Sequence, residues 1–215
     1  MKKFTLFLLI LIPLKFWAQK DIVPSAYEGI ALQFKQRIFF DNFDDNRYKW
    51  IKQSSPSTHK IKDGFFYFSN EFGIAFNDGK AVSFNADNNW EIESRIKFMS
   101  GDVEGYNGLM WGELVFGKKM ILAFNALGYV KLVKIDGFDE TEIIAPKKID
   151  GLINKTDDND LVVRKYGDKY YFFVNNVLIG ETNYEGLPGQ YIGFSVAPNS
   201  LIRINFIRLW KIETK

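Results

Sequence analysis

Residues 90–98 show a two-residue alternation of side chains that limits the folds open to this sequence. Apolar or small side chains alternate there with charged ones: Trp90, Ile92, Ser94, Ile96 and Phe98 against Glu91, Glu93, Arg95 and Lys97. Successive side chains of a β-strand point to opposite faces, so the pattern predicts a half-buried strand. No stretch of the sequence keeps a helical apolar period over several turns, and we therefore expect a chain built from strands.

Short runs of the same kind fill the chain from residue 38 onward and are separated by turn residues. The pairs at 63–64, 167–168 and 175–176 are Asp-Gly, Gly-Asp and Asn-Asn, which favour positive φ and tight reversals. They predict hairpins within residues 60–68 and 161–182. Further strands are predicted at residues 72–76, 81–84, 108–116, 120–124, 129–135, 190–196 and 201–211. Residues 25–36 are expected to form a short helix or an extended lead-in.

About a dozen strands are too many for one small sheet. Two antiparallel sheets packed face to face can bury the apolar sides of that many strands, so we predict an all-β fold, a two-sheet jelly-roll sandwich.

The first residues have the layout of a secretory signal peptide. Lys2 and Lys3 precede an apolar run, and a short tail ends at Ala18. The run is shorter than the roughly 20 apolar residues that span a bilayer. We therefore expect residues 1–18 to be cleaved and no transmembrane anchor to remain. Residues 19–37 would be a lead-in and residues 38–215 one sandwich domain, secreted to the periplasm or beyond.

The composition excludes several classes of function. The chain has no cysteine, which excludes disulfides, thiolate metal sites and thiol nucleophiles. It has 28 basic and 26 acidic side chains with no dense basic run, whereas nucleic-acid binding relies on clustered Lys and Arg. We therefore expect no nucleic-acid partner.

The segments FDNFDDN at 40–46 followed by Trp50, KIKDGFF at 60–66 and WEIESRIKF at 90–98 resemble concanavalin A-like lectin/glucanase domains. The segment NGLMWG at 107–112, together with residues 161–175 and 192–207, is similar to the laminin-G-like branch of that superfamily, which includes the bacterial 3-keto-glycoside hydrolase type domains. The resemblance implies a concanavalin A-like sandwich with its ligand on the concave sheet face. It leaves the activity open, because such folds host lectins, hydrolases and adhesion modules.

A pair of carboxylates is the first candidate for catalysis. Family 16 glucanases of the superfamily carry Glu-x-Asp-x-(x)-Glu on one strand, and this sequence has no such segment. Glu91 and Glu93 are the closest pair, and residues two apart on a strand have Cα atoms about 6.5 to 7 Å apart on one face, which retaining hydrolysis could use. The alternative is a solvated row of cross-strand ion pairs. If the chain is an enzyme, Glu93 or Glu113 would be the acid or base.

A sugar site needs an aromatic ring on which the sugar can stack, beside side chains that form hydrogen bonds. Trp111 could supply the ring and Glu113 the hydrogen bonds. Both would share a face with Asn107, while Gly108, Met110 and Gly112 would pack on the core. The alternative is that Trp111 is a core side chain. The full set of candidate ligand-binding residues is Asn107, Trp111, Glu113, Glu91, Glu93, Tyr129 and Arg203.

Oxygen-bearing side chains gather in residues 41–46. Asp41, Asp44 and Asp45 offer the hard ligands that calcium prefers, although such residues also simply form turns. His59 is the only histidine, which excludes a zinc site built from histidines. The sequence around it contains no motif of a hydrolase triad.

These observations lead to three hypotheses. The first is a secreted, noncatalytic carbohydrate-binding or adhesion-type module. The second is a glycoside-cleaving hydrolase of the 3-keto-glycoside hydrolase type. The third is a structural protein-interaction domain without a sugar ligand, whose protein partner the sequence does not identify.

Overall fold

The computed structural model describes residues 24–51, 58–113, 117–187 and 189–213. These residues form fourteen strands after a single 3-10 turn, η1 (Leu32–Phe34). The strands are β1 (Lys35–Asp41), β2 (Thr58–Lys62), β3 (Phe65–Asn70), β4 (Phe76–Ala81), β5 (Asn89–Gly101), β6 (Asn107–Gly112), β7 (Lys119–Phe124), β8 (Tyr129–Asp136), β9 (Asp139–Lys148), β10 (Asn159–Tyr166), β11 (Lys169–Val174), β12 (Val177–Asn183), β13 (Tyr191–Val196) and β14 (Ser200–Ile212).

The strands form two antiparallel sheets. The larger sheet has the order β12-β11-β10-β5-β14-β3-β2, and β1 also pairs with β14. The smaller sheet has the order β4-β13-β6-β7-β8-β9. The predicted all-β, two-sheet antiparallel sandwich is confirmed.

Aromatic side chains join the two sheets in the core. Trp50 packs on Phe66 of the larger sheet and Phe194 of the smaller one, with ring centroids 5.4 and 5.6 Å away. Trp111 of the smaller sheet stacks on Phe172 of the larger one at 6.2 Å. Large buried rings dominate core energetics, so these contacts fix one face of each sheet inward and leave the other face outward.

The predicted hairpins are confirmed at their turn residues. Asp63 and Gly64 have φ of 55° and 72° between β2 and β3. Asn175 and Asn176 have φ of 49° and 65° between β11 and β12. Asparagine, aspartate and glycine tolerate this left-handed region, which is why these pairs were informative in the sequence.

Three predicted elements differ in the structure, and one strand is present that was not predicted. Residues 72–76 and 81–84 were predicted as strands, whereas β4 occupies the stretch between them. Strand β9 was not predicted, because it is an edge strand with mostly exposed side chains and lacks the apolar alternation. Residues 25–36 contain only η1, which has no capping side-chain hydrogen bond, and the sandwich already begins at Lys35.

Strand β14 contains a bulge that matters for the site. Ile204 pairs with Ile96 of β5 and Phe206 pairs with Arg95, so Asn205 is an extra residue without a partner in this register. Arg203 and Arg208 consequently share the outer face of the larger sheet. Within the described ranges no helix is long and apolar enough to cross a membrane. The predicted signal peptide lies outside those ranges.

Candidate functional site

A cluster of ion pairs lies on the outer face of the larger sheet and is centred on Glu91 and Glu93 of β5. In the sheet register Arg164 of β10 lies opposite Glu91, and Arg208 of β14 lies opposite Glu93. Nε of Arg164 donates to Oε2 of Glu91 at 2.6 Å, and Nε of Arg208 donates to Oε2 of Glu93. Each carboxylate is therefore neutralised by the arginine directly across from it.

Lys35 of β1 joins the two carboxylates. Its Nζ donates to Oε1 of Glu93 at 2.8 Å and to Oε1 of Glu91. The side chains of Lys35, Glu91 and Arg164 are 7%, 1% and 4% exposed, whereas that of Arg208 is 34% exposed. The cluster is therefore closed to solvent at Glu91 and open at Arg208.

The two carboxylates differ in proton affinity. Burial and the neighbouring Glu93 raise the pKa of Glu91, and Arg164 and Lys35 only partly offset them. Burial also acts to raise the pKa of Glu93, but the hydrogen bond with Glu91 and the charges of Lys35 and Arg208 outweigh it and hold that pKa below its usual range. Glu91 is the member of the pair that takes up a proton first.

Residues 24–31 lie over this face of the sheet. Nη1 of Arg164 donates to the carbonyl oxygens of Ala26 and Glu28 at 2.7 and 2.6 Å. A cavity of about 420 Å³ lies between this segment and the sheet. Its walls combine apolar side chains with members of the charged cluster: Ile30, Val162, Phe173, Lys35, Glu93 and Arg164.

A second cavity of about 110 Å³ continues along the same face. Glu93, Val162 and Asn176 line both cavities, so we treat the two as one feature, the sheet groove. The second cavity is completed by Arg95, Asp160, Phe206 and Arg208. Arg95 binds Asp160 through two nitrogens at 2.7 and 2.9 Å.

Trp111 lies elsewhere, in the core between the sheets. Its ring is fully buried and packs on Phe172 and Tyr170. The opposite side chain, Met110, belongs to a small apolar cluster with Ile121, Ala123 and Val133. The two faces of β6 were thus assigned the wrong way round, because both carry apolar residues. The location contradicts the predicted exposure of Trp111 and agrees with the alternative of a core side chain.

Asn107 and Glu113 do not converge with Glu91 and Glu93. Asn107 is fully buried, donates to the carbonyl oxygen of Gly105 at 3.0 Å and accepts from the backbone N–H of Ala197 at 3.0 Å, which are structural contacts. Glu113 is exposed just beyond β6 of the smaller sheet. The carboxylates of β5 lie in the other sheet.

Tyr129 and Arg203 also lie outside the sheet groove. Tyr129 is half-buried at the start of β8, in the smaller sheet. Arg203 is on the outer face of the larger sheet, where its Nη2 donates to Oδ1 of Asp158 at 2.8 Å. Of the predicted ligand-binding residues, the structure therefore brings Glu91 and Glu93 together and distributes the rest over the core and other surfaces.

Asp41, Asp44 and Asp45 stabilise a turn. Oδ2 of the buried Asp41 accepts from Nε1 of Trp50 at 2.7 Å, and Asp45 pairs with Arg47 at 2.9 Å. Across the described ranges no group of three or more His, Asp or Glu side chains is arranged to hold a metal ion. The geometry thus matches the turn alternative to the predicted calcium site.

His59 is a core residue. Its Nδ1 lies 3.1 Å from the carbonyl oxygen of Trp50 and 3.5 Å from Oδ2 of Asp78. Its ring packs edge-on against Phe68 with centroids 4.5 Å apart. Phe68, Trp50 and Asp78 are buried with it, so this histidine is enclosed between the sheets.

The sequence analysis missed Lys35, Arg164 and Arg208. Arg164 and Arg208 sit at outward positions of strands that were predicted, and matching charges across neighbouring strands would have paired them with Glu91 and Glu93. Lys35 fell in the segment expected as a lead-in, so nothing in the local pattern placed it beside β5.

Similarity to known proteins is found at the level of structure. No family model and none of the curated proteins matches the chain. The carbohydrate-binding module CBM66 from Bacillus subtilis superimposes with a TM-score of 0.57 at 15% identity, covering 71% of this chain and 91% of that one. The endo-β-1,3-glucanase from Pyrococcus furiosus gives 0.57 at 11% identity, covering 84% and 96%.

The catalytic domain of a laminarinase from Thermotoga petrophila RKU-1 gives a TM-score of 0.56 at 10% identity, covering 84% of this chain and 99% of that one. These proteins share the concanavalin A-like jelly-roll fold, and the fold predicted from the sequence is confirmed. They include both a binding module and hydrolases, so their likeness to this chain concerns the fold alone.

Proposed function

We propose that this concanavalin A-like domain is a secreted, noncatalytic carbohydrate-binding module. The observation that carries the proposal is the sheet groove, a cavity of about 420 Å³ continued by one of about 110 Å³, lined by both apolar and charged side chains. Secretion is supported by the signal-like layout of residues 1–18.

The groove has the chemistry that a sugar requires. Sugars present hydroxyl groups at their rims and apolar C–H groups on their faces. Lys35, Arg164 and Arg208 are held in place by ion pairs and offer fixed hydrogen-bonding groups, while Val162 and Phe173 offer apolar surface. All these side chains project from strands, so little conformational freedom is lost when a ligand binds.

Binding without hydrolysis is favoured by the state of the carboxylates. A general acid must reach the glycosidic oxygen, and a nucleophile must reach the anomeric carbon. All four oxygens of Glu91 and Glu93 already accept from Lys35 or an arginine, and Glu91 is 1% exposed. The pair is better placed to orient cations than to attack a sugar.

Hydrolysis is the second candidate, and one observation favours it. Burial and Glu93 raise the pKa of Glu91, whereas the contact with Glu91 and the charges of Lys35 and Arg208 lower the pKa of Glu93 against the effect of burial. Opposite shifts in two neighbouring carboxyl groups are the pattern of an acid and a nucleophile in glycosidases. Glu93→Gln would then abolish turnover of an oligosaccharide that the wild-type chain cleaves.

The test is binding to an array of neutral and acidic glycans by the chain without residues 1–18, with product analysis of the same mixtures. Val162→Trp fills the groove, because Val162 lines both cavities. Val177→Trp is the matched control: Val177 is 47% exposed and lines neither cavity. We expect Val162→Trp to abolish binding and Val177→Trp to leave it unchanged, without turnover in any sample.

Equal binding by Val162→Trp would place the ligand away from the groove and contradict the proposal. Product formation lost in Glu93→Gln would establish the hydrolase instead. An array on which the wild-type chain binds no glycan would favour a structural protein-interaction domain.

A further inference from the structure

Every carboxylate oxygen on the floor of the sheet groove already accepts a hydrogen bond from a cation. This is true of both oxygens of Glu91, of Glu93 and of Asp160. The donors are Lys35, Arg95, Arg164 and Arg208. The strands of the floor therefore offer no carboxylate acceptor for a ligand, and the remaining carboxylate, Glu28 of the covering segment, lines the larger cavity only.

Hydrogen-bond donors do remain. Nε of Arg208 is used on Glu93, but within the described part of the chain its two terminal nitrogens make no hydrogen bond. Arg95 uses Nε and Nη2 on Asp160, and its Nη1 likewise makes none to a described residue. Both arginines border the smaller cavity of the groove, and their side chains are 34% and 41% exposed.

The two guanidinium groups are positioned by one aromatic ring. The Cζ atoms of Arg208 and Arg95 lie 4.6 and 5.5 Å from the centroid of Phe206. Arginine stacked on an aromatic ring keeps its planar fork oriented, so two sets of free N–H groups are held at the same cavity. Asn176 lines that cavity as well.

The distribution of charge along the groove favours the smaller cavity for an anion. Over both cavities the four cations Lys35, Arg95, Arg164 and Arg208 are balanced by four carboxylates, Glu28, Glu91, Glu93 and Asp160. Glu28 lines only the larger cavity, whereas the two most exposed cations, Arg95 and Arg208, border the smaller one. Charge-assisted hydrogen bonds from arginine to an anionic oxygen are stronger than those to a neutral hydroxyl.

From this geometry we infer that the glycan carries an acidic substituent, a carboxylate or a sulfate, which binds in the smaller cavity to Arg208 and Arg95. The larger cavity, about 420 Å³ against about 110 Å³, takes the sugar ring itself. The inference rests on the proposed function and deepens it by naming the class of ligand.

The experiment uses two matched pairs of polymers and isothermal titration calorimetry. Oligogalacturonate and its methyl ester differ in carboxylate charge, and dextran sulfate and dextran differ in sulfate. We expect wild-type chain to bind at least one charged member about tenfold or more tightly than its neutral match, as expected for hydrogen bonds to a charged group. The pair of polymers that shows the difference in affinity identifies the acidic group as a carboxylate or a sulfate.

The variant Arg208→Gln removes one fork and leaves Glu93 paired with Lys35. It is expected to lose that preference, while Arg208→Lys, which keeps the charge without the fork, retains part of it. Arg37→Gln is the control, since it removes the same charge from β1 of the same sheet, at an exposed arginine that lines neither cavity. Thermal unfolding midpoints of all variants show whether each one folds.

The outcomes separate the two proposals. If the groove binds charged and neutral members equally, or if Arg208→Gln keeps the preference of the wild-type chain, the acidic subsite is wrong and the carbohydrate-binding function stands. If a broad glycan array containing neutral and acidic sugars shows no binding at all, both are wrong. If Arg37→Gln loses the preference for charged polymers to the same extent as Arg208→Gln, the preference arises from overall charge, and the acidic subsite is wrong.

Discussion

Nζ of Lys35 lies 2.8 Å from Oε1 of Glu93 and also donates to Glu91, so one ammonium group from the first strand holds two carboxylates of β5. β1 is joined to the sheet through β14 and lies one strand away from β5. This contact therefore ties the beginning of the domain to the middle of its larger sheet.

Removing this ammonium is expected to destabilise the fold at neutral pH. Lys35→Met leaves two buried carboxylates in contact with one fewer cation, and breaking a buried pair costs about 3 to 5 kcal/mol. The loss should shrink as the pH falls, because Glu91, whose pKa is raised, then takes up a proton. Urea unfolding at pH 5 and pH 7.5 measures both effects. Lys62→Met, at an exposed position of β2, is the control, and a pH-independent loss would contradict the explanation.

Glu91 is expected to make stability fall as the pH rises. Burial and Glu93 raise its pKa to about 7 in the folded chain, above the ordinary value for glutamate. The folded state then binds more protons than the unfolded state between those two values, so the free energy of unfolding decreases with rising pH across this window. Glu91→Gln should flatten the slope between about pH 4.5 and 7. Urea titrations at several pH values check this, and an unchanged slope would refute it.

Trp111 is expected to contribute to stability and not to ligand binding. Trp111→Ala removes a fully buried indole from between the sheets, a change that typically costs about 3 to 5 kcal/mol. Trp111→Phe should cost less and leave glycan affinity at the wild-type value, because the ring lines neither cavity of the sheet groove. Calorimetric titration of Trp111→Phe with glycan measures this. A large loss of glycan affinity in a well-folded variant would show that Trp111 contributes to binding.

Gly193 is expected to be irreplaceable where β13 and β4 approach closely. A Cβ atom there would lie 2.0 Å from the carbonyl oxygen of Asp78, so the backbone of β4 would have to move. We expect Gly193→Ala to lower the free energy of unfolding by about 3 kcal/mol, as overpacking does. Gly29→Ala is the matched control, since no atom lies within 4 Å of its Cβ position. Chemical unfolding of the two variants should differ clearly, and similar values would show that β4 adjusts freely.

Asp41 is expected to act through hydrogen bonds and without a metal. Its carboxylate accepts from the indole of Trp50 and from the backbone N–H of Phe43, so Asp41→Ala leaves buried donors unpaired at a cost of about 1 to 3 kcal/mol each. Calcium or a chelator should leave the unfolding midpoint of the wild-type chain unchanged. A wild-type midpoint raised by calcium would contradict the metal-free account, and a midpoint unaffected by Asp41→Ala would contradict the role of the hydrogen bonds.

The periodicity of the sequence predicts strands and their turns well, because alternation and positive-φ pairs are local properties. It assigns faces correctly for β5, where one face is charged. It fails for β6, because Trp111 and Met110 are both apolar and alternation alone does not say which of two apolar faces meets the other sheet. The candidate site was predicted only in part for a related reason. Glu91 and Glu93 are recognisable on one strand, whereas Lys35 contacts them only through long-range strand pairing, which no local pattern encodes.

The unpaired Asn205 sets the phase of the last strand. Upstream of it the odd-numbered Arg203 points outward, and downstream of it the even-numbered Phe206 and Arg208 do so. If Asn205 were instead paired in the regular register, every later side chain would change face, turning Phe206 and Arg208 toward the hydrophobic interior and Leu209 toward water. By leaving Asn205 out of the pairing, the bulge keeps the arginine on the outer surface of the carboxyl-terminal strand.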